Sequence, residues 1–248
     1  MFQRVSGDGR RHVDEENPYW ISFSDIMAGL LVIFILASVV FIIQLQKRRL
    51  DVEQAIRELS EANKNRADLL DEIKKKLEER GILVEVSDNK TVLRIPDEYL
   101  FFETRSYRIP PDKQAPVAAI GNTLHSALRQ GIKDGRHQFL DTIFVEGHTD
   151  SRPARTLELG NWGLSANRAI QVWRFWTEEG ADSNGLATLL NFEGKFLFSI
   201  SGYAATRRLR EPDDTEEKQR KNRRIDLRFT VRQPVIEQYQ GVLDVFDN

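Results

Sequence analysis

No cysteine occurs among the 248 residues, so a disulfide framework and a thiolate metal site are both excluded, and sulfur chemistry says nothing about compartment. Nor is there an excess of charge of one sign. Thirty-six Lys and Arg stand against 38 Asp and Glu, a net charge of -2, which argues against a protein that binds nucleic acid directly. The histidines at 12, 125, 137 and 148 show no metal-ligand spacing, so neither a metal nor a bound cofactor is expected. His148, close to Asp150, reads as a hydrogen-bonding turn residue rather than a ligand or a base. No nucleophile and base stand at usable spacing, and the chain does not read as an enzyme.

Long apolar runs are equally scarce. The one present, Ile26 to Gln46, holds 21 uncharged residues and as a helix would reach about 31 Å, the thickness of a bilayer's hydrocarbon core. No small-residue cleavage site follows it, and Lys47-Arg48-Arg49 comes next, so it reads as a retained anchor. Tyr19, Trp20 and Phe23 form an aromatic cluster suited to a membrane boundary. Asp25 stands at the start of this helix. One reading is a helix cap, favoured by the helix dipole. The other is half of an ion site: a single helix cannot form a channel, so a partner's helices would complete it. Basic residues on the C-terminal flank (Lys47, Arg48, Arg49, Arg57, Lys64) outnumber Arg4, Arg10 and Arg11, a bias that would place the C-terminal part inside the cell.

The pattern divides the chain into a polar tail (1–19), a transmembrane helix (20–46), a linker helix (47–81) closed by Gly81, an α/β domain (82–232) and a second tail (233–248). In the linker, Val52, Ile56, Leu59, Asn63, Arg66, Leu70, Ile73 and Leu77 follow a heptad, with Asn63 as a polar core position that would fix the register of a parallel homodimer. The alternative is an apolar stripe packed on the chain's own domain. Within the domain, 82–86 and 91–95 read as strands around the turn 87–90, 116–129 as a helix, 141–146 as a strand, 165–177 as a helix, and 196–202 and 224–232 as strands. Glu211 to Glu217 reads as an acidic loop. Trp162, Trp173 and Trp176 read as helix-face core rather than a sugar platform.

Three polar clusters carry the chemistry: Gly147-His-Thr-Asp150, Asn161-Trp-Gly-Leu-Ser-Ala-Asn-Arg-Ala169 and Asn222-Arg-Arg-Ile225. A carboxylate at Asp150 with guanidinium groups at Arg168 and Arg223 would suit a zwitterion, the acid holding an ammonium and an arginine holding a carboxylate. These ordered motifs resemble the OmpA-like peptidoglycan-binding domain over about residues 95 to 232, with Phe101-Phe102 and the helix entry at Pro110 similar to that family's opening strand. The resemblance implies that Asp150 and Arg168 clasp the diaminopimelate of the wall peptide, with Thr149, Asn161, Leu164 and Arg223 shaping the pocket. The insertion Ala181 to Lys195 departs from the family.

Trp20-Ile-Ser-Phe-Ser-Asp25-Ile-Met-Ala-Gly-Leu30, joined to such a domain, resembles the MotB family of flagellar stator subunits. The long linker helix is similar to the MotB-like subunits of the Zorya anti-phage defence system. The expected fold is therefore a single-pass transmembrane helix and coiled-coil-like linker followed by an α/β OmpA-like sandwich. The resemblance implies an inner-membrane motor subunit that moves a proton, with sodium second, and pairs with a multi-pass MotA/ZorA-like ring. Its N-terminus would be cytoplasmic and its domain periplasmic, against the charge bias. The motor would serve anti-phage defence; a flagellar-type stator subunit, or a passive peptidoglycan-binding envelope tether with no ion role, is the alternative function.

Overall fold

The computed structural model describes residues 18–96, 98–155, 158–179 and 185–234. The expected tails therefore lie almost wholly outside the described residues, as do positions 181–184 of the insertion and the residue before it. The chain forms two compact units, Met1–Gln54 and Ala55–Asn248.

Anchor and linker are one helix, α1 (Pro18–Glu78). The reason is local: between Gly29 and Gly81 the sequence contains no glycine and no proline, so nothing interrupts the hydrogen-bond ladder. Ion pairs four residues apart, Arg49–Glu53 and Glu72–Lys76, add a few tenths of a kcal/mol each. In the first unit the apolar side chains from Ile26 to Leu45 face outward, and the rings of Trp20 and Phe23 meet edge to face at 6.3 Å. Among the described residues one helix, beginning at Ser22, is long and apolar enough to cross a membrane.

The second unit is a five-stranded sheet with helices on one face. Its strands are β1 (Glu85–Ser87), β2 (Val92–Ile95), β3 (Leu140–Gly147), β4 (Phe198–Gly202) and β5 (Ile225–Val231), in the order β1-β2-β5-β3-β4. All neighbours are antiparallel except β3 and β4, which α3 (Gly160–Arg174) connects as a crossover. Leu93, Ile95, Val145, Ile225, Leu227 and Phe229 alternate onto the covered face and meet α2 (Pro111–Lys133) through Val117, Ile120 and Leu124. Leu140 and Ile143, three apart, both reach that core because the β3–β5 register shifts between them.

The last turns of α1 belong to this core: Leu69, Leu70, Ile73 and Leu77 are fully buried in it. The expected dimer seam is therefore corrected in its second half, where Leu70, Ile73 and Leu77 pack on the chain's own domain. Heptad spacing marks an apolar stripe and does not say what covers it. Val52 and Ile56 are exposed, and Leu59 and Asn63 are half-buried.

Other expectations shift locally. The α2 helix starts at Pro111, and Pro116, inside its second turn, removes only one ladder bond. Phe101-Phe102 forms no strand. The acidic stretch is only partly a loop, since Glu216 begins α4 (Glu216–Asn222), capped by the Thr215 hydroxyl, which accepts from Lys218 N.

Candidate functional site

The site forms where β3 ends and β5 begins, which antiparallel pairing brings side by side. His148 N donates to Arg224 O (3.0 Å) and Thr149 N to Ala204 O (2.8 Å), which fixes the path of the chain into Asp150. Gly147 lets α3 close over it: a Cβ there would lie 1.9 Å from the Ser165 carbonyl oxygen. Ser165 Oγ accepts from Ala204 N (2.9 Å), and Asn161 clamps the following loop by accepting from Ala154 N (3.0 Å) and donating to Arg152 O (3.1 Å). Leu164 is buried on the cavity wall.

Asp150 is only 5% exposed and its carboxylate is heavily engaged. Oδ1 accepts from Arg152 N (3.0 Å). Oδ2 accepts from Arg152 Nε (3.2 Å), Arg152 Nη2 (2.7 Å) and Arg223 Nη1 (2.8 Å). Burial opposes ionisation of Asp150, but the hydrogen bonds from Arg152 and Arg223 outweigh it and hold its pKa below the usual carboxylate range.

Arg168, expected beside Asp150 in the pocket, makes no hydrogen bond to it. Arg168 is fully buried and donates to three backbone carbonyls: Ser106 (2.9 Å), Glu103 (3.1 Å) and His148 (3.3 Å). The ring of Phe102 lies 5.0 Å beneath its guanidinium. Burial, then the neighbouring charge of Arg223, lowers its pKa to about 9, with Asp150 opposing, so it stays cationic at neutral pH. Arg152 and Arg223 supply the ion pairs to Asp150, and Arg223 also donates to Phe102 O (3.2 Å) and Glu216 (2.6 Å). Thr149 is buried on the cavity wall, and its hydroxyl has no hydrogen-bond partner among the described residues.

All six expected pocket residues thus converge. Thr149, Asp150, Leu164, Arg168 and Arg223 line one cavity with Thr104, Arg105 and Arg152, and Asn161 supports it from behind. Arg152 and Glu216 were not singled out from the sequence. The signals were an Asx turn, Asp150 accepting from the backbone two residues on, and Thr215 as a helix cap that places Glu216 one helix-length before Arg223.

Behind the site, Glu146, His148 and Asp226 lie buried within metal-binding distance of one another. Arg94 and Arg224 already neutralise Asp226, and Arg228 neutralises Glu146, an arrangement that disfavours a further cation. Burial and then these arginines lower the His148 pKa to about 2, so the imidazole is neutral, stacked on Tyr203 at 5.4 Å. Neither ring nitrogen is hydrogen-bonded among the described residues, so the imidazole packs in the core while His148 hydrogen-bonds through its backbone, N donating to Arg224 O and O accepting from Arg168. Of the tryptophans, Trp176 is buried and donates to Val117 O (2.8 Å), and Trp173 packs on Phe198. Trp162, expected in the core, is 57% exposed.

Residues 101–223 match the model of the OmpA family. The chain is 27% identical over 165 residues to Motility protein B of Helicobacter pylori, an alignment covering 66% of this chain and 55% of that protein. It is 24% identical over 250 residues to the uncharacterized protein YtxE of Bacillus subtilis, covering 91% of this chain and 93% of that one. Among solved structures, a putative MotB-like protein from Desulfovibrio vulgaris is similar with a TM-score of 0.49 at 19% identity, covering 70% of this chain and 99% of that one. The chain thus spans about half the length of the Helicobacter pylori protein it matches. One long apolar helix followed by an α/β OmpA-like domain is the architecture of this chain.

Proposed function

We propose that this chain is the single-anchor subunit of an ion-driven inner-membrane motor, holding peptidoglycan with its OmpA-like domain and carrying a proton on Asp25. The observation that carries the wall-binding half is the convergence of Thr149, Asp150, Arg168 and Arg223 on one cavity in a domain matching the OmpA family. An acid, two guanidinium groups and an unpartnered hydroxyl suit a zwitterionic amino acid such as diaminopimelate. Arg223 is the group placed to receive its carboxylate, and Arg168 holds the cavity floor.

The motor half is supported by the acid at the head of the apolar run and by the similarity to Motility protein B. In this reading two copies pair through their anchors, Val52 and Ile56, and each presents Asp25 to a multi-pass MotA/ZorA-like ring. A proton crossing the membrane supplies about 2.3 kcal/mol per 100 mV, enough to bias one step between two packings a few kcal/mol apart. The wall holds the domain still while the ring turns, which requires a periplasmic domain and a cytoplasmic N-terminus. The uninterrupted α1 favours an anti-phage machine of the Zorya type over a flagellar one.

Wall binding is tested by pull-down with diaminopimelate-type peptidoglycan. Asp150→Ala, checked for folding by circular dichroism, is expected to reduce retention at least about tenfold, the effect of losing one charge-assisted contact of 1.5–3 kcal/mol. Unchanged retention removes the anchor.

A further inference from the structure

The cavity beside Asp150 encloses about 40 Å³. That is room for water molecules and not for a ligand side group, since small-molecule sites run to about 300–1,000 Å³. Arg152 forms the part of its wall that lies over the carboxylate.

The two cations on Asp150 differ in kind. Arg223 is built into the floor: its side chain is 5% exposed and is bound to Phe102 O as well as to Asp150 and Glu216. Arg152 lies over the carboxylate from the solvent side with its side chain 37% exposed, and it holds two outer partners, Glu216 Oε2 at 3.1 Å and Thr104 Oγ1 at 3.3 Å. Releasing its Nε and Nη2 from Asp150 would still leave the guanidinium its bond to Glu216, itself 62% exposed at the rim. The loop backbone need not move for this, because Arg152 N and Arg152 O stay fixed by Asp150 and Asn161.

We infer that Arg152 is a specificity-determining residue: its guanidinium stands where the ligand's ammonium must go, and an incoming cation displaces it from Asp150 onto Glu216. This rests on the wall-binding reading above and adds its selectivity. Exchange of one cation for another keeps two cations on the buried carboxylate throughout, whereas a ligand with a neutral group would expel Arg152 and leave Asp150 with Arg223 as its one counter-charge. The site therefore favours free amines over acylated ones.

The test uses the full chain in detergent micelles and isothermal titration with two soluble peptides. One is L-Ala-γ-D-Glu-meso-diaminopimelate with a free side-chain amine, and the other is the same peptide acetylated on that amine. Wild type is expected to bind the free amine more tightly than the acetylated peptide, and Arg152→Gln to bind the free amine roughly three- to fivefold more tightly than wild type, the range of a partly exposed ion pair. Arg152→Lys should fall between the two. Glu216→Gln, an exposed change that removes the receiving carboxylate, should weaken binding. Unchanged or weaker binding by Arg152→Gln overturns the inference and marks Arg152 as a bystander or a direct ligand contact. Equal binding of both peptides by wild type overturns it as well. If no variant binds either peptide and Asp150→Ala retains peptidoglycan in the pull-down, the wall-binding reading fails and this one with it; if no variant binds either peptide but Asp150→Ala loses retention, that reading stands while this one falls.

Discussion

His148 is neutral in the folded chain because burial and the surrounding arginines hold its pKa near 2, against about 6.5 when exposed. A base whose folded pKa is depressed costs nothing above pH 6.5 and destabilises progressively below it, as the unfolded chain takes up the proton first. The slope is about 1.4 kcal/mol per pH unit, so between pH 7 and pH 5 His148 should remove about 2 kcal/mol from the stability of its domain. Chemical denaturation of the full chain at the two pH values checks this. His148→Gln should flatten that part of the slope, and identical slopes in variant and wild type would contradict it. Asp150 acts at lower pH: its contribution is complete above the ordinary carboxylate pKa and is lost as pH falls toward its depressed folded value. Wall binding should therefore persist at pH 5, where the two residues separate experimentally.

At the scale of elements, α1 carries one apolar stripe with two fates. Ile73→Ala, in the buried part, should cost about 2–5 kcal/mol of domain stability, whereas Ile56→Ala should stay within about 0.5 kcal/mol, both read by urea denaturation. Equal effects would return the lower seam to an intermolecular role. The absence of native cysteine makes pairing of two copies simple to probe, since Val52→Cys would be the only thiol. Oxidation should yield a cross-linked dimer, and exclusively monomeric product would remove the proposed pairing at that position.

The same elements show what was legible. The alternating and apolar residues of β3 and β5, and the loop motifs at their adjoining ends, located the sheet and the site to within one or two residues. Phe101-Phe102 misled because a strand and a buried coil look alike when both are apolar. Here the carbonyls of Phe102 and Glu103 are satisfied by Arg223 and Arg168 instead of a neighbouring strand. Nor could Arg168 be recognised from its motif as a backbone-binding pillar, or Arg223 as an ion-pair partner of Asp150: which guanidinium faces a carboxylate depends on contacts 18 or 73 positions apart in the chain. The helix α4 was hidden by its own acidic first turn, which favours a helix N-terminus yet resembles a solvated loop in composition.

For the whole molecule, the proposed motor requires both ends to act. Asp25→Asn should leave assembly with the multi-pass partner intact, as judged by co-purification, and abolish proton flux in reconstituted vesicles. Flux retained in that variant would reduce the chain to a passive tether. The converse variant, Asp150→Ala, should leave flux intact and lose the mechanical output, because the defect then lies only in the grip on the wall.

How α1 enters its domain decides how a tug would travel. Leu70, Ile73 and Leu77 sit inside the core, Arg136 holds Glu72 at 2.8 Å, and the Tyr99 hydroxyl donates to Gly81 O and accepts from Leu83 N just past the helix end. Tension arriving along the helix is therefore taken up by interlocked side chains before it reaches the Gly81 bend, and the joint behaves as a mortise with no slack, not as a rope tied to a block.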